Sequence, residues 1–484
     1  MKGAHGPATV RCGIHGKGTA VGLMDVLAAS GLNCELFRSA KAPGVNVAAD
    51  SVCELSDLTA SEAIRRIAAG ELRTEEYVGR LLQRLRGLRA LSPLTWIDEP
   101  QVLEAARAVD QRRIRGEPLG ALGGLPVLVK NNIDVARTPM AAAARRFRDK
   151  VRAAHTPAVQ RLLDQGAIVF GSASMHEPVG RAACNHPLTA ALGNPYDPGR
   201  IAGGSIAGGA GVGTAAAIAA RIVPAGLGSD TAGSVRISSA LCGTAGLRPS
   251  TAGGELDDDC GVLPLARDLD TAGPMARTAR DTALMHSAIT RCPPARVPDL
   301  RQVRIGVPRT PYWEDIDAEV ARVAEDALVR LRAAGATLIE VDPVSYYFLA
   351  CEGLEALTAR GELRRKIRAS YRELLRLQGL TAVVFPTVPA VALPVKAHGG
   401  GPAEWIEING RCVDAVQLIR NTRVTCALGA PGLSLPAGLT RRGLPVGLEL
   451  DAAPGHDSEL LALAMAVEQV LPRLPAPQES HGAR

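Results

Sequence analysis

The chain has few aromatic side chains: Phe, Trp and Tyr together make up 3% of its 484 residues. Stacking platforms for single-stranded nucleic acid depend on such rings, so no nucleic-acid partner is expected on that ground. Lysine is scarcer still, with seven against forty-eight arginines. The formal charge of +6 is spread along the sequence without a dense basic block, which again argues against a nucleic-acid footprint. Ten cysteines include no Cys-x-x-Cys pair, and no His/Cys spacing suits a metal. They read as reduced thiols of a cytoplasmic protein, several of them core fillers, with no metal site. No apolar run reaches the length of a membrane span, so no membrane partner is expected. No cleavable apolar leader is expected either, since residues 21–32 are interrupted by Asp25 and stop at Asn33.

What is present is a large apolar fraction, 46% against 21% charged, enough for a sizeable core. The length would suit two or three average domains or one large α/β unit. Residues 1–52 show weak periodicity, with one candidate helix at 21–30, and read as an extension whose role is not legible. From residue 53 to 484 no repeat or linker divides the chain. Thr59-Ala60-Ser61-Glu62 has capping-box spacing before a helical face of Ala63, Ile64 and Ile67, and Thr74 is expected to cap a second helix. An arginine-rich helix is expected at 100–115, and Thr156-Pro157 opens another. The apolar run 127–129 suits a strand buried on both faces, and strands are also expected at 167–171, 225–228, 303–307, 337–341, 382–385, 432–436 and 446–450. Helices at 215–220, from 237, after Asp317, at 374–380 and at 458–470 alternate with them. The fold class is therefore α/β, a mixed central sheet with helices.

Two serines sit in glycine-lined bends, within Gly203-Gly204-Ser205-Ile206-Ala207-Gly208-Gly209 and Ser229-Asp230-Thr231-Ala232-Gly233-Ser234-Val235-Arg236. Neither bend is a phosphate loop or a dinucleotide fingerprint, because the Gly-Lys-Ser/Thr ending and the Gly spacing are both missing. Neither serine lies in a Gly-x-Ser-x-Gly elbow. The histidines suggest no metal-like or catalytic arrangement, although a Ser/His/Asp triad stays open. Lysine can activate a serine if burial keeps it neutral, and Lys130 closes the apolar run 127–129.

Lys130, Gly-Gly-Ser205, the Asp230 to Arg236 motif and Ala240-Leu-Cys-Gly-Thr-Ala-Gly-Leu-Arg-Pro249, in that order, resemble the amidase signature family over residues 53–484. Phe385-Pro386-Thr387, Ile408-Asn409-Gly410, Gly432-Leu-Ser-Leu-Pro436 and Gly443-Leu-Pro-Val-Gly447 extend the resemblance. Among members, the tail is more similar to indoleacetamide and mandelamide hydrolases than to the amidotransferase A subunit. The resemblance implies a single amidase-signature domain over 53–484 that needs no cofactor and hydrolyses a small-molecule amide. Ser234 would be the nucleophile, Ser205 (after a cis peptide from Gly204) the bridging hydroxyl and Lys130 the base. The N–H groups of Thr231, Ala232, Gly233 and Ser234 would form the oxyanion hole, with Asp230 and Arg236 bracing the loop. Met175, Cys184 and Ile206 are candidate pocket residues, and a homodimer stays open.

The sequence also departs from the family pattern. Ile206 stands where a second serine is usual, Ala207 and Ala232 replace glycines, and the region 344–363 is short. Ile206 and the short middle region motivate an alternative, a weakened member acting as a binding or assembly subunit; an amidotransferase subunit is a third reading.

Overall fold

A computed structural model of the chain describes residues 55–88, 91–139, 151–175, 192–202, 211–252, 262, 266, 268–343, 361–394 and 405–477. The expectations placed on residues 21–30, Cys184, Ser205, Ile206, Ala207, the Gly204–Ser205 peptide and 344–360 lie outside the described residues.

In chain order the strands are β1 (Leu94–Trp96), β2 (Pro126–Lys130), β3 (Ile168–Ala173), β4 (Gly193–Asn194), β5 (Asp197–Ile201), β6 (Ala225–Asp230), β7 (Ala245–Arg248), β8 (Thr271–Ala276), β9 (Arg304–Val307), β10 (Thr337–Glu340), β11 (Ala382–Pro386), β12 (Trp405–Ile408), β13 (Arg411–Asp414), β14 (Gly432–Leu439) and β15 (Pro445–Asp451). Eleven of them form one sheet in the order β1-β3-β2-β6-β8-β7-β14-β15-β11-β9-β10. It is mixed: β3, β2 and β6 run parallel to one another, as do β11, β9 and β10, while β6 through β11 alternate in direction. The pairs β4–β5 and β12–β13 are separate two-stranded ribbons.

The helices are α1 (Ala60–Ala68), α2 (Thr74–Gly87), α3 (Glu99–Ile114), α4 (Pro157–Asp164), α5 (Val212–Ala219), α6 (Ser234–Cys242), α7 (Ala279–Thr290), α8 (Ala318–Ala333), α9 (Gly361–Gln378), α10 (Arg420–Leu428) and α11 (Asp457–Glu468). They cover both faces of the sheet. Successive residues of a strand point to opposite faces, and in β2 Leu128 joins one apolar cluster, with Phe170 and the α2 and α5 side chains, while Val127 and Val129 join another, with Val159, Leu162 and Ile289. A strand buried on both sides reads as an unbroken apolar run, and all five residues of β2 are buried. None of the described helices is long and apolar enough to cross a membrane.

Local signals mostly act where the sequence places them. Thr59 accepts from the Glu62 N–H, Thr156 from the Val159 N–H, and Asp317 from the Glu319 and Val320 N–H groups, each satisfying donors of a helix's first turn. The expected cap at Thr74 is corrected. Thr74 is the first residue inside α2, and the carboxylate of Asp110, from α3, accepts from the Thr74 and Glu75 N–H groups at 2.8 and 3.0 Å. A carboxylate can serve two donors where a threonine hydroxyl would serve one, and it also ties α2 to α3. The helix expected from 237 begins earlier, at Ser234.

Candidate active site

Parallel pairing of β2 with β6 aligns Val129 with Leu227, so the carboxyl ends of the two strands lie side by side. Ligands of open α/β sheets bind at such ends. Lys130 closes β2, and Ser229 and Asp230 close β6. The Lys130 side chain is 1% exposed, and its Nζ donates to Ser229 Oγ and, at 3.4 Å, to the Ser229 carbonyl. Asn132 Nδ2 donates to the same hydroxyl at 3.0 Å. Burial disfavours the ammonium ion. It brings the Lys130 pKa down to about 7, against the opposing pull of Asp270 and, to a lesser degree, Asp230.

Beyond β6 the chain turns sharply through Thr231, Ala232 and Gly233 into α6, whose first residue is Ser234. The turn needs glycine at 233: its φ is +121°, and a Cβ there would lie 2.1 Å from Thr422 Oγ1. Thr422 Oγ1 in turn donates to the Ala232 carbonyl at 2.7 Å. Ser234 itself is buried.

Asp230 holds this turn from beneath. Its carboxylate accepts from the Gly233 N–H at 2.9 Å and the Val235 N–H at 3.2 Å. It also pairs with Arg236 at 3.2 Å and with Arg248 at 3.1 Å, all three side chains being fully buried. The two guanidinium groups overcome the burial penalty and hold the Asp230 carboxyl well below the usual range. Arg236 reaches further, to the Glu449 carboxylate of β15, the Thr422 carbonyl at 2.9 Å and Cys426 Sγ at 3.1 Å. Burial beside Asp451 pushes the Glu449 carboxyl well above its ordinary value.

Of the residues singled out in the sequence, Lys130, Asp230, Thr231, Ala232, Gly233, Ser234 and Arg236 therefore converge at one end of β2 and β6. Met175, two residues beyond β3, is fully buried. The Gly233 N–H, expected in the oxyanion hole, is engaged by Asp230 in this structure. Sequence reasoning missed Ser229, Asn132, Arg248, Asp270, Thr422 and Glu449. One signal for Glu449 existed: a lone carboxylate in the apolar run 446–450 has to find a buried cation.

Residues 76–361 match the model of the family described as Amidase. Indoleacetamide hydrolase of Agrobacterium vitis is 29% identical over 466 residues, covering 85% of this chain and 96% of that protein. Mandelamide hydrolase of Pseudomonas putida is 29% identical, covering 88% and 94%. A crystal structure of an amidase superposes with a TM-score of 0.72 at 28% identity, covering 86% of this chain and 100% of its own. With that match over more than half its length, the chain belongs to the amidase family and is a hydrolase acting on amide C–N bonds.

Proposed function

We propose that the enzyme cleaves a small, arylacetamide-like primary amide to a carboxylate and ammonia, with Ser234 as nucleophile, Ser205 as proton bridge and Lys130 as base. The observation that carries this reading is the buried amine of Lys130, with a pKa of about 7, set at the end of β6 beside the turn that delivers Ser234. An amine neutral near that pH can accept a proton where an exposed lysine could not. Ser234 Oγ attacks the amide carbon as its proton passes through Ser205 to Lys130. The tetrahedral intermediate collapses when the same proton returns to the leaving nitrogen, releasing ammonia. Water, deprotonated by the same relay, then attacks the acyl-enzyme and frees the carboxylate.

The oxyanion would be met by N–H groups of the turn 231–234, where losing one donor typically costs ~10²–10³ in rate. Because the Gly233 N–H faces Asp230, the contribution we assign to Gly233 is the bend itself. Asp230 and Arg236 keep the bracing role. The aryl preference draws on the names of the two relatives, and a cytoplasmic setting fits the unbridged thiols of Cys242, Cys412 and Cys426. The test is ammonia release across a panel of aryl and aliphatic amides. We expect the largest kcat/KM on arylacetamides, labelling by a fluorophosphonate probe, and loss of both in Ser234→Ala. A folded chain that neither hydrolyses any amide nor takes the probe would instead support the binding-subunit reading motivated by Ile206 and the short 344–363 region.

A further inference from the structure

Strand β8 lies on the side of β6 away from β2, and its first residue, Thr271, is register partner to Asp230. One step beyond that pair, Thr231 and Asp270 face each other. Thr231 Oγ1 donates to Asp270 Oδ1 at 2.5 Å, and the other carboxylate oxygen accepts from the Ala266 N–H at 2.9 Å. The Leu269 and Asp270 N–H groups both return to the Ala266 carbonyl, and Arg248 Nη2 donates to the Leu269 carbonyl at 2.8 Å. Asp270 is thus held in a closed turn, and Arg248 fastens that turn to the Asp230 carbonyl at 2.8 Å.

We propose that Asp270 is a positioning residue for the reaction, clamping the oxyanion turn through the Thr231 hydroxyl and supplying the negative potential against which Lys130 takes up its proton. The inference rests on the proposed roles of Lys130 and of the turn 231–234. Two carboxylates act on Lys130, Asp270 more strongly than Asp230. Asp230 is consumed by two guanidinium groups and two backbone N–H groups, so its charge is largely spent within the brace. The amine itself donates to Ser229, which is neutral, as is Asn132, the partner of that same hydroxyl. Desolvation alone would leave Lys130 a weak base, neutral but reluctant to accept a proton. A carboxylate on the far side of β6 restores basicity without touching the amine. In one residue it couples the stiffness of the oxyanion turn to the strength of the base.

The readout that separates this role from a merely structural one is the titration of Lys130 itself, followed by NMR of protein labelled with 13Cε-lysine. The chain has only seven lysines, and Lys130→Met identifies the signal. In Asp270→Asn we expect the Lys130 midpoint to fall by about one pH unit, the scale of removing one nearby opposite charge, with the acid limb of kcat/KM moving alongside. Asp270→Ser should move it the same way and serves if the first variant does not fold. In Thr231→Val the midpoint should stay at the wild-type value while kcat drops about tenfold at similar KM, a loss confined to the transition state. Asp270→Glu should recover the wild-type midpoint. An unmoved Lys130 midpoint in Asp270→Asn or Asp270→Ser, or an unchanged kcat in Thr231→Val, overturns the proposal. The titration needs no substrate, so absence of hydrolysis and probe labelling in the wild-type chain would strike the proposed reaction instead.

Discussion

A lysine that is neutral because it is buried lowers the stability of the fold that buries it. Unfolded, Lys130 titrates near the ordinary lysine value; folded, it titrates at about 7. Between those values the unfolded chain binds the extra proton, so stability rises with pH across that window. Below about 7 the penalty is complete. Replacing the amine by an apolar side chain of similar length removes it. Lys130→Met should therefore raise the melting temperature, by more at pH 6 than at pH 10, while abolishing amide hydrolysis; a thermal melt at the two pH values checks the sign. At the neighbouring turn the argument is steric. Gly233→Ala would force a Cβ against Thr422 at a φ that L side chains rarely adopt. We expect activity to fall by at least ~10²-fold, as for a lost oxyanion donor, measured as kcat/KM on a substrate the wild type hydrolyses.

The elements that were legible in the sequence are those whose causes are local. Residues 127–129 betray β2 by being uninterruptedly apolar, and Thr59, Thr156 and Asp317 mark helix starts with their own side chains. Thr74 misled because the group that caps α2 comes from Asp110, 36 positions later. Removing that carboxylate leaves two first-turn donors short of a partner, so Asp110→Ala should cost about 1–2 kcal/mol in urea unfolding with kcat unchanged. Strand β8 escaped notice for another reason. Its sequence, Thr-Ala-Gly-Pro-Met-Ala, has the look of a turn, and proline is rare inside sheets. The ladder to β7 covers only Met275 and Ala276, so at Pro274 a missing N–H fails no partner on that side. The candidate site divides in the same way: the loop from Asp230 to Arg236 is written contiguously, whereas Ser229's hold on Lys130 and Asp270's on Thr231 exist only once three strands lie side by side.

Across the whole molecule, the turn that carries Ser234 is tied through Arg236 to β15 and α10. Removing one partner of a buried ion pair leaves the other without compensation, at a cost of about 3–5 kcal/mol. Arg236→Met should be destabilised by that amount in equilibrium unfolding, and its activity should vanish together with its native signal on titration with urea. Loss of activity well before unfolding would mean that the brace is local after all. That brace also has a consequence in time. Arg236 and Glu449 are 213 positions apart, so at a synthesis rate of about 5–20 residues per second the carboxylate follows its guanidinium by roughly 10–40 s. A ribosome has thus made the turn that carries Ser234 long before it makes β15. A nascent chain that has emerged only as far as α6 therefore has the Asp230–Arg236 part of the brace and still lacks the Glu449 carboxylate.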